Sequence, residues 1–288
     1  MTAWLDVILQ GLLNGGIFTL FALGLAVAYG VMRIVNLAQG DFVILSAYFA
    51  LTLTNNFHID PFLAIVPVGL VMYGIGYALQ GTLINRVIGS NPLPPLLITF
   101  GLSIIIQNAL LLSYTADAQS IHAAGLNTAN LQLDNSLSIG WLPLITLATA
   151  VAVTGFVDLI FRRTSLGMAL RATSDNPVIA GMMGIRAKHM YAMAMGLALA
   201  LDAVGGVFAG MRSTFSPYAG PNLLLYAFEA VVVGGPGSIW GTLVGAIAIG
   251  LAQAIGAQID PGLGVLGGHL LFFAVLLIRP HGLFPKTR

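Results

Sequence analysis

The sequence predicts an all-α protein, a polytopic transmembrane helical bundle of about eight membrane segments, and three observations predict it. Of 288 residues, 58% are hydrophobic and only 7% are charged, too little polar surface to clothe a soluble domain. Apolar runs of spanning length, roughly 17–25 residues, recur along the whole chain. Glycine supplies 35 residues, well above the usual ~7%. GxxxG spacings occur at Gly11/Gly15, Gly206/Gly210, Gly237/Gly241/Gly245 and Gly264/Gly268, a pattern that lets helix backbones approach closely in a membrane.

In chain order, spans can be drawn at 7–31, 36–54, 62–84, 96–115, 141–161, 190–211 and 263–278, all within one transmembrane domain, 1–288. The amino-terminal run has no basic region ahead of it and no small-residue cleavage site, so it is expected to stay as a span. The segment 36–54 opens on Asn36, Gln39, Gly40 and Asp41 before turning apolar. The stretch 226–252 fits one continuous helix poorly. Gly234, Gly235, Pro236 and Gly237 interrupt it, and a broken or re-entrant element is expected around Gly234–Gly241. These two glycine-bearing breaks, each followed by a helix, are too weakly alike to establish an internal repeat.

Charge sets the expected orientation through the positive-inside rule. The stretch 116–140 carries Asp117 and Asp134 and no basic residue, whereas 162–188 carries Arg162, Arg163, Arg171, Arg186 and Lys188. The first reads as an external loop and the second as cytoplasmic. Counting spans from these loops puts the amino terminus outside and the tail with Arg279, Lys286 and Arg288 inside. That parity requires 226–252 to enter and leave from the external side. Ten of the eleven basic residues are then cytoplasmic, Arg212 being the exception. A single crossing by 226–252 is the alternative, and it leaves the basic tail outside.

Enzyme signatures fail in turn. There is no cysteine, and with only two lysines there is no GxxxxGK[ST] phosphate loop. The five histidines are scattered with no i, i+4 pair, and no GxSxG elbow occurs. The chain is therefore read as non-enzymatic, with no metal site and no bound cofactor. A net charge of +1 offers nothing to nucleic acid. Intramembrane ionisable residues are functional candidates by default, and here they are Asp41, Asp202 and Glu229. With Gln39 they are candidates for a translocation path. Asp202 and Glu229 each also read as a packed acid bonded to a neighbouring helix, Asp41 as an ion pair with Arg33 or a helix-start acid, and His269 as an interhelical donor.

Within 162–188, Asn176 is positioned to cap a helix from Pro177 to Met183 that Gly184 ends. It carries an apolar face of Val178, Ile179, Met182 and Met183. An ordinary basic loop has no need of a capped helix or of such a face. Methionine-rich surfaces suit adaptable docking.

Three stretches, VNLAQGDFVILSAY at 35–48, LGMALRATSDNPVIAGMMGI at 166–185 and AVVVGGPGSIWGTLVGAIAIG at 230–250, resemble the permease subunits of bacterial ABC importers of the branched-chain amino acid type. A weaker fourth is RPHGLF at 279–284. The likeness runs over nearly the whole chain. It implies one half of a paired membrane domain in the bacterial inner membrane, usually with a second homologous permease. Two cytoplasmic ATP-binding subunits and an external solute-binding protein would complete it. By the same resemblance 162–188 holds the ATPase-coupling helix, its contact made by Arg171, Asp175, Asn176, Pro177, Ala180, Gly184 and Ile185. The substrate implied is a branched-chain amino acid, with amides, urea or aromatic acids as alternatives. A secondary transporter or channel working alone is the competing class; it needs coupling chemistry in this chain, which the sparse acids do not offer.

Overall fold

In hydrocarbon every backbone N–H and C=O must be satisfied within its own segment, which a helix achieves and an open strand does not. The computed structural model describes residues 2–89, 91, 93–123, 125–126, 129–134 and 137–284. Their order is α1 (Thr2–Met32), α2 (Gln39–Phe57), α3 (Pro61–Thr82), α4 (Leu93–Tyr114), β1 (Asn130–Asp134), β2 (Leu137–Gly140), α5 (Trp141–Arg163), α6 (Ser165–Asp175), α7 (Pro177–Met182), α8 (Ala187–Arg212), α9 (Gly220–Gly234), α10 (Ile239–Ile259) and α11 (Gly264–Ile278). Seven helices among the described residues are long and apolar enough to cross a membrane: α1, α3, α4, α5, α8, α10, and α11 with the turn before it. The more polar α2 and the shorter α9 fill the bundle between them.

Two helices form its centre. The spanning windows of α1 and α8 are 89% and 72% buried, against 22% for α3, α4 and α5 and 6% for α11. The outer helices turn Leu70, Leu97, Leu112, Phe156 and Leu277 outward, as a lipid solvent requires. Helices α1 and α8 run antiparallel, Gly205 against Leu20 and Gly24 against Ala198. Helix α10 lies along α1 so closely that a Cβ on Gly15 would sit 2.5 Å from Ile247 Cα. The Gly11/Gly15 spacing thus marks a real seam.

The expected dipping element is a broken pair. Helix α9 ends at Gly234 and α10 starts at Ile239. The two return alongside one another: Gly234 faces Gly241, and Gly245 faces Ala230 and Gly234. One end of the bundle collects their turn, the end of α1 and α6. Ser174 Oγ donates to Gly30 O at 2.7 Å, and a Cβ on Gly30 would come within 3.3 Å of Gly237 Cα. Asn85 Nδ2 donates to Lys188 O at 2.9 Å, tying the end of α3 to the start of α8.

Eight of the nine described basic residues lie toward that end: Arg33, Arg86, Arg162, Arg163, Arg171, Arg186, Lys188 and Arg279. The ninth, Arg212, closes α8 at the other end, donating to Leu13 O and Asn14 Oδ1 at 3.1 and 3.0 Å. Lys286 and Arg288 lie outside the described residues. At the Arg212 end, the stretch 116–140 holds the antiparallel hairpin β1–β2, with Leu131 opposite Ile139. Gln119 and Phe215 exchange backbone hydrogen bonds of 2.9 Å, and Ile121 N donates to Gly210 O at 2.8 Å. This loop is therefore clamped onto the end of α8.

Candidate functional site

Between α1 and α2 the chain turns back into the bundle before it becomes helical again. Arg33 N bonds Tyr29 O at 2.8 Å, with Arg33 in the left-handed region at φ 55°. Asn36 Oδ1 then accepts from Ala38 N at 3.0 Å, the side-chain turn for which asparagine is suited. Thr99 Oγ1 of α4 accepts from Leu37 N at 3.2 Å. The first turn of α2 consequently lies inside the protein, with Asn36, Gln39 and Asp41 all buried.

Buried polar groups must find partners there, or each costs about 1–3 kcal/mol. Gln39 Nε2 donates to both carboxylate oxygens of Asp202 on α8, at 2.8 and 2.7 Å. Asn36 Nδ2 in turn donates to Gln39 Oε1 at 3.2 Å. Gly24 of α1 makes room, because a Cβ there would collide with the Asp202 carboxylate and lie 2.6 Å from Gln39 Nε2. Asp41 takes a hydrogen bond of 3.0 Å from Gln107 Nε2 on α4. Arg33 does not pair with it. The arginine is exposed on the loop, while Asp41 is carried inward to pack against Gly220 at the start of α9. Glu229 of α9 stands apart and makes a close hydrogen bond with His269 Nδ1 of α11.

The four path candidates thus fall into three packed contacts: Gln39 with Asp202, Asp41 with Gln107, and Glu229 with His269. Gln107 was missed from sequence. A glutamine inside the apolar run 96–115 was the available signal.

The other interruption, Gly234, Gly235, Pro236 and Gly237, is built without acids. Gly235 and Gly237 have φ of 108° and 81°, backbone that glycine adopts freely. Helix α9 leaves its last carbonyls without helical donors. The segment after α11 supplies them: Leu283 N donates to Val233 O at 2.8 Å and Phe284 N to Gly234 O at 3.0 Å. Gly282, at φ 80°, allows this, since a Cβ there would lie 2.5 Å from Gly235 Cα. Beside this break lies a cavity of about 240 Å3 whose walls include Leu25, Tyr29, Val35, Phe228, Val232 and Pro236.

Beyond the bundle, α7 is six residues, one fewer than expected, with Met183 as its cap. Asn176 Oδ1 accepts from Val178 N and Ile179 N at 3.0 and 3.1 Å. Gly184, at φ 83°, closes a Schellman motif: Ile185 N bonds Ala180 O, and Gly184 N bonds Gly181 O, both at 3.0 Å. Ala180 is buried, whereas Val178, Ile179, Met182 and Met183 are 59–81% exposed. Asp175 and Pro177 are exposed, and Arg171 and Ile185 half-buried. Helix α6, which runs directly into α7, is capped by Thr164 Oγ1 accepting from Gly167 N and fixed to the bundle through buried Leu170 packed with Val31 and Ala194 and through the Ser174–Gly30 bond.

A bundle of spanning helices with two interrupted helices in its interior and a capped apolar helix at one end has the build of a polytopic membrane permease. Comparison with known proteins makes this specific. Residues 7–278 match the family model described as branched-chain amino acid transport system / permease component, and the chain belongs to that family. It is thus a multi-pass inner-membrane permease of an ABC import system, whose general partners are ATP-binding and solute-binding proteins.

The chain is 29% identical to the high-affinity branched-chain amino acid transport system permease protein BraD of Pseudomonas aeruginosa, over 98% of this chain and 96% of that one. It is 28% identical to the probable branched-chain amino acid transport permease protein LivH of Methanocaldococcus jannaschii, over 96% and 91%. Among solved structures, PsaBC from Streptococcus pneumoniae in complex with Fab superposes with a TM-score of 0.50 at 15% identity, covering 96% of this chain and 92% of that one. That likeness concerns the fold.

Proposed function

We propose that this chain forms half of the translocation path for branched-chain or similarly apolar amino acids, and that a second homologous permease supplies the other half. ATP is hydrolysed on partner chains; this one is not an enzyme and binds no cofactor. The basic end faces the cytoplasm, with both the carboxyl-terminal segment and the 162–188 loop there. The amino terminus and the 116–140 loop face outward, as the positive-inside rule implies for eight of nine described basic residues at one end. The path runs beside the Gln39–Asp202 and Asp41–Gln107 contacts and along α9 with Glu229.

The observation that carries the reading is α7. It is doubly capped, projects an apolar, methionine-bearing face away from the bundle, and is tied through α6 to the end of α1. Such a helix has an unmet surface outside the membrane and a rigid link to helices within it. We assign Arg171, Asp175, Asn176, Pro177, Ala180, Gly184 and Ile185 to the ATPase contact and its support. Movement of the ATPases on binding ATP would be transmitted through α6 to α1.

Gly184→Pro tests this, because proline cannot adopt the positive φ at that position; Asp175→Lys tests it by charge. Both are expected to insert normally and to lose co-purification with the ATP-binding subunits. Unchanged co-purification and uptake would remove the assignment. Uptake by the purified permease in liposomes on an ion gradient, with no ATP-binding subunit, would instead establish the stand-alone class.

A further inference from the structure

We propose that the cavity of about 240 Å3 between the end of α1 and the α9 break is the subsite that holds the aliphatic side chain of the transported amino acid. This rests on the substrate reading given under Proposed function.

The chemistry of the walls favours such an occupant. Leu25, Val35, Phe228, Val232 and Pro236 offer carbon alone, and Tyr29 adds one hydroxyl. An ordered water needs two to four polar partners, so water is held poorly here. An apolar solute recovers the dispersion contacts that the wall atoms lack. Size narrows the class further. A volume of about 240 Å3 is well above the ~10–15 Å3 that a single water needs and admits the branched carbons of a leucine side chain. It falls short of the ~300 Å3 at which drug-sized sites begin. A site without ionic or bidentate contacts also releases its ligand readily, as a conduction path requires.

Position supplies the second line of argument. Val35 belongs to the turn between α1 and α2, and Pro236 to the turn between α9 and α10, so the two interruptions of the bundle meet at this cavity. Tyr29 precedes Gly30, whose carbonyl receives the Ser174 hydroxyl of α6 at 2.7 Å. Movement of α6 therefore shifts one wall directly. The other wall is held by Leu283 and Phe284 on the last carbonyls of α9. The subsite lies where displacement of α6 and α7 changes its volume.

The experiment uses the importer assembled in liposomes with both permeases, the ATP-binding subunits and the binding protein, and the diazirine analogue of leucine as probe. Irradiation during ATP turnover is expected to label peptides spanning 25–35 and 228–236. Val232→Trp is expected to cut that labelling and leucine uptake at least tenfold. If this variant fails to assemble, the smaller Val232→Met is expected to reduce both severalfold. Leu112→Trp, on the outward face of α4, is expected to change neither.

Leucine uptake without label at these walls overturns the subsite alone. So does a filled cavity with unchanged uptake. Labelling of the same peptides by a photoactivatable phospholipid, uncompeted by leucine, shows an acyl-chain site and also overturns it. An importer that takes up no aliphatic amino acid overturns the substrate reading beneath it as well.

Discussion

The two interrupted helices solve one problem in opposite ways. Each leaves backbone and helix termini packed inside the bundle, where unsatisfied groups are costly. The turn before α2 is held by side chains: Asn36, Gln39, Asp41, Asp202, Thr99 and Gln107 bond one another or the backbone across three helices. Glycine contacts at Gly24, Gly40 and Gly220 leave it no slack. The turn between α9 and α10 is held mainly by backbone, through two hydrogen bonds from residues 283 and 284 with the Ser238 hydroxyl capping Gly241 N, and a cavity lies beside it. A network of buried side chains has discrete partners and resists displacement, whereas two backbone bonds to a terminal segment can yield. The first turn is held by a side-chain network and the second leans on the segment after α11.

Substitutions can break or sharpen this contrast, and the largest effect belongs to the first turn. A Cβ at Gly40 would meet Gly220 O and lie 2.7 Å from Leu224 N, backbone atoms that cannot step aside. Gly40→Val is expected to cost more than about 4 kcal/mol, read as loss of folded protein in detergent extracts. Gln39→Leu leaves the buried Asp202 carboxylate without its donor, about 3 kcal/mol, read as a lower thermal midpoint. Adding Asp202→Leu should restore most of that loss, since removing both partners is nearly neutral; a double variant no better than the single one would deny the pairing.

At the α9–α10 turn, Gly282→Ala forces a side chain into positive φ and against Gly235. About 2 kcal/mol is expected, appearing as faster amide exchange over 233–238 while α2 keeps its protection. Equal loosening of both turns would erase the distinction. Smallest is Ser174→Ala, about 1 kcal/mol: fold and insertion are expected to be unchanged, with fewer molecules of leucine moved per ATP as the link from α6 to α1 slackens.

How much of this was legible depends on range. The α7 cap is local: asparagine, proline and glycine in fixed order specify both ends of a short helix, and its length was misread by one residue. The break at Gly234–Gly237 was equally local. Asp41 does open a helix as the sequence implies, but its partner is not legible because its surroundings are not local. Arg33 lies eight positions away in sequence, yet the turn carries Asp41 inward to Gln107, and nothing near Asp41 in the chain encodes that. The latch from RPHGLF to α9 joins residues some fifty positions apart and has no periodic or compositional signature.

The sequence by itself determined that this is a helical membrane protein, where its helices break, which loops carry the positive charge and that no phosphate-binding loop is present. All of these follow from residue type and spacing, since hydropathy, charge and backbone preference act within a turn or two. Only the tertiary structure decided that Gln39 serves Asp202, that Gln107 serves Asp41, that α6 grips α1, and that an apolar-walled cavity opens where the two breaks meet. Those depend on which helices become neighbours. Between helices already surrounded by hydrocarbon the hydrophobic effect is spent, and the choice passes to close glycine contacts and a few buried hydrogen bonds.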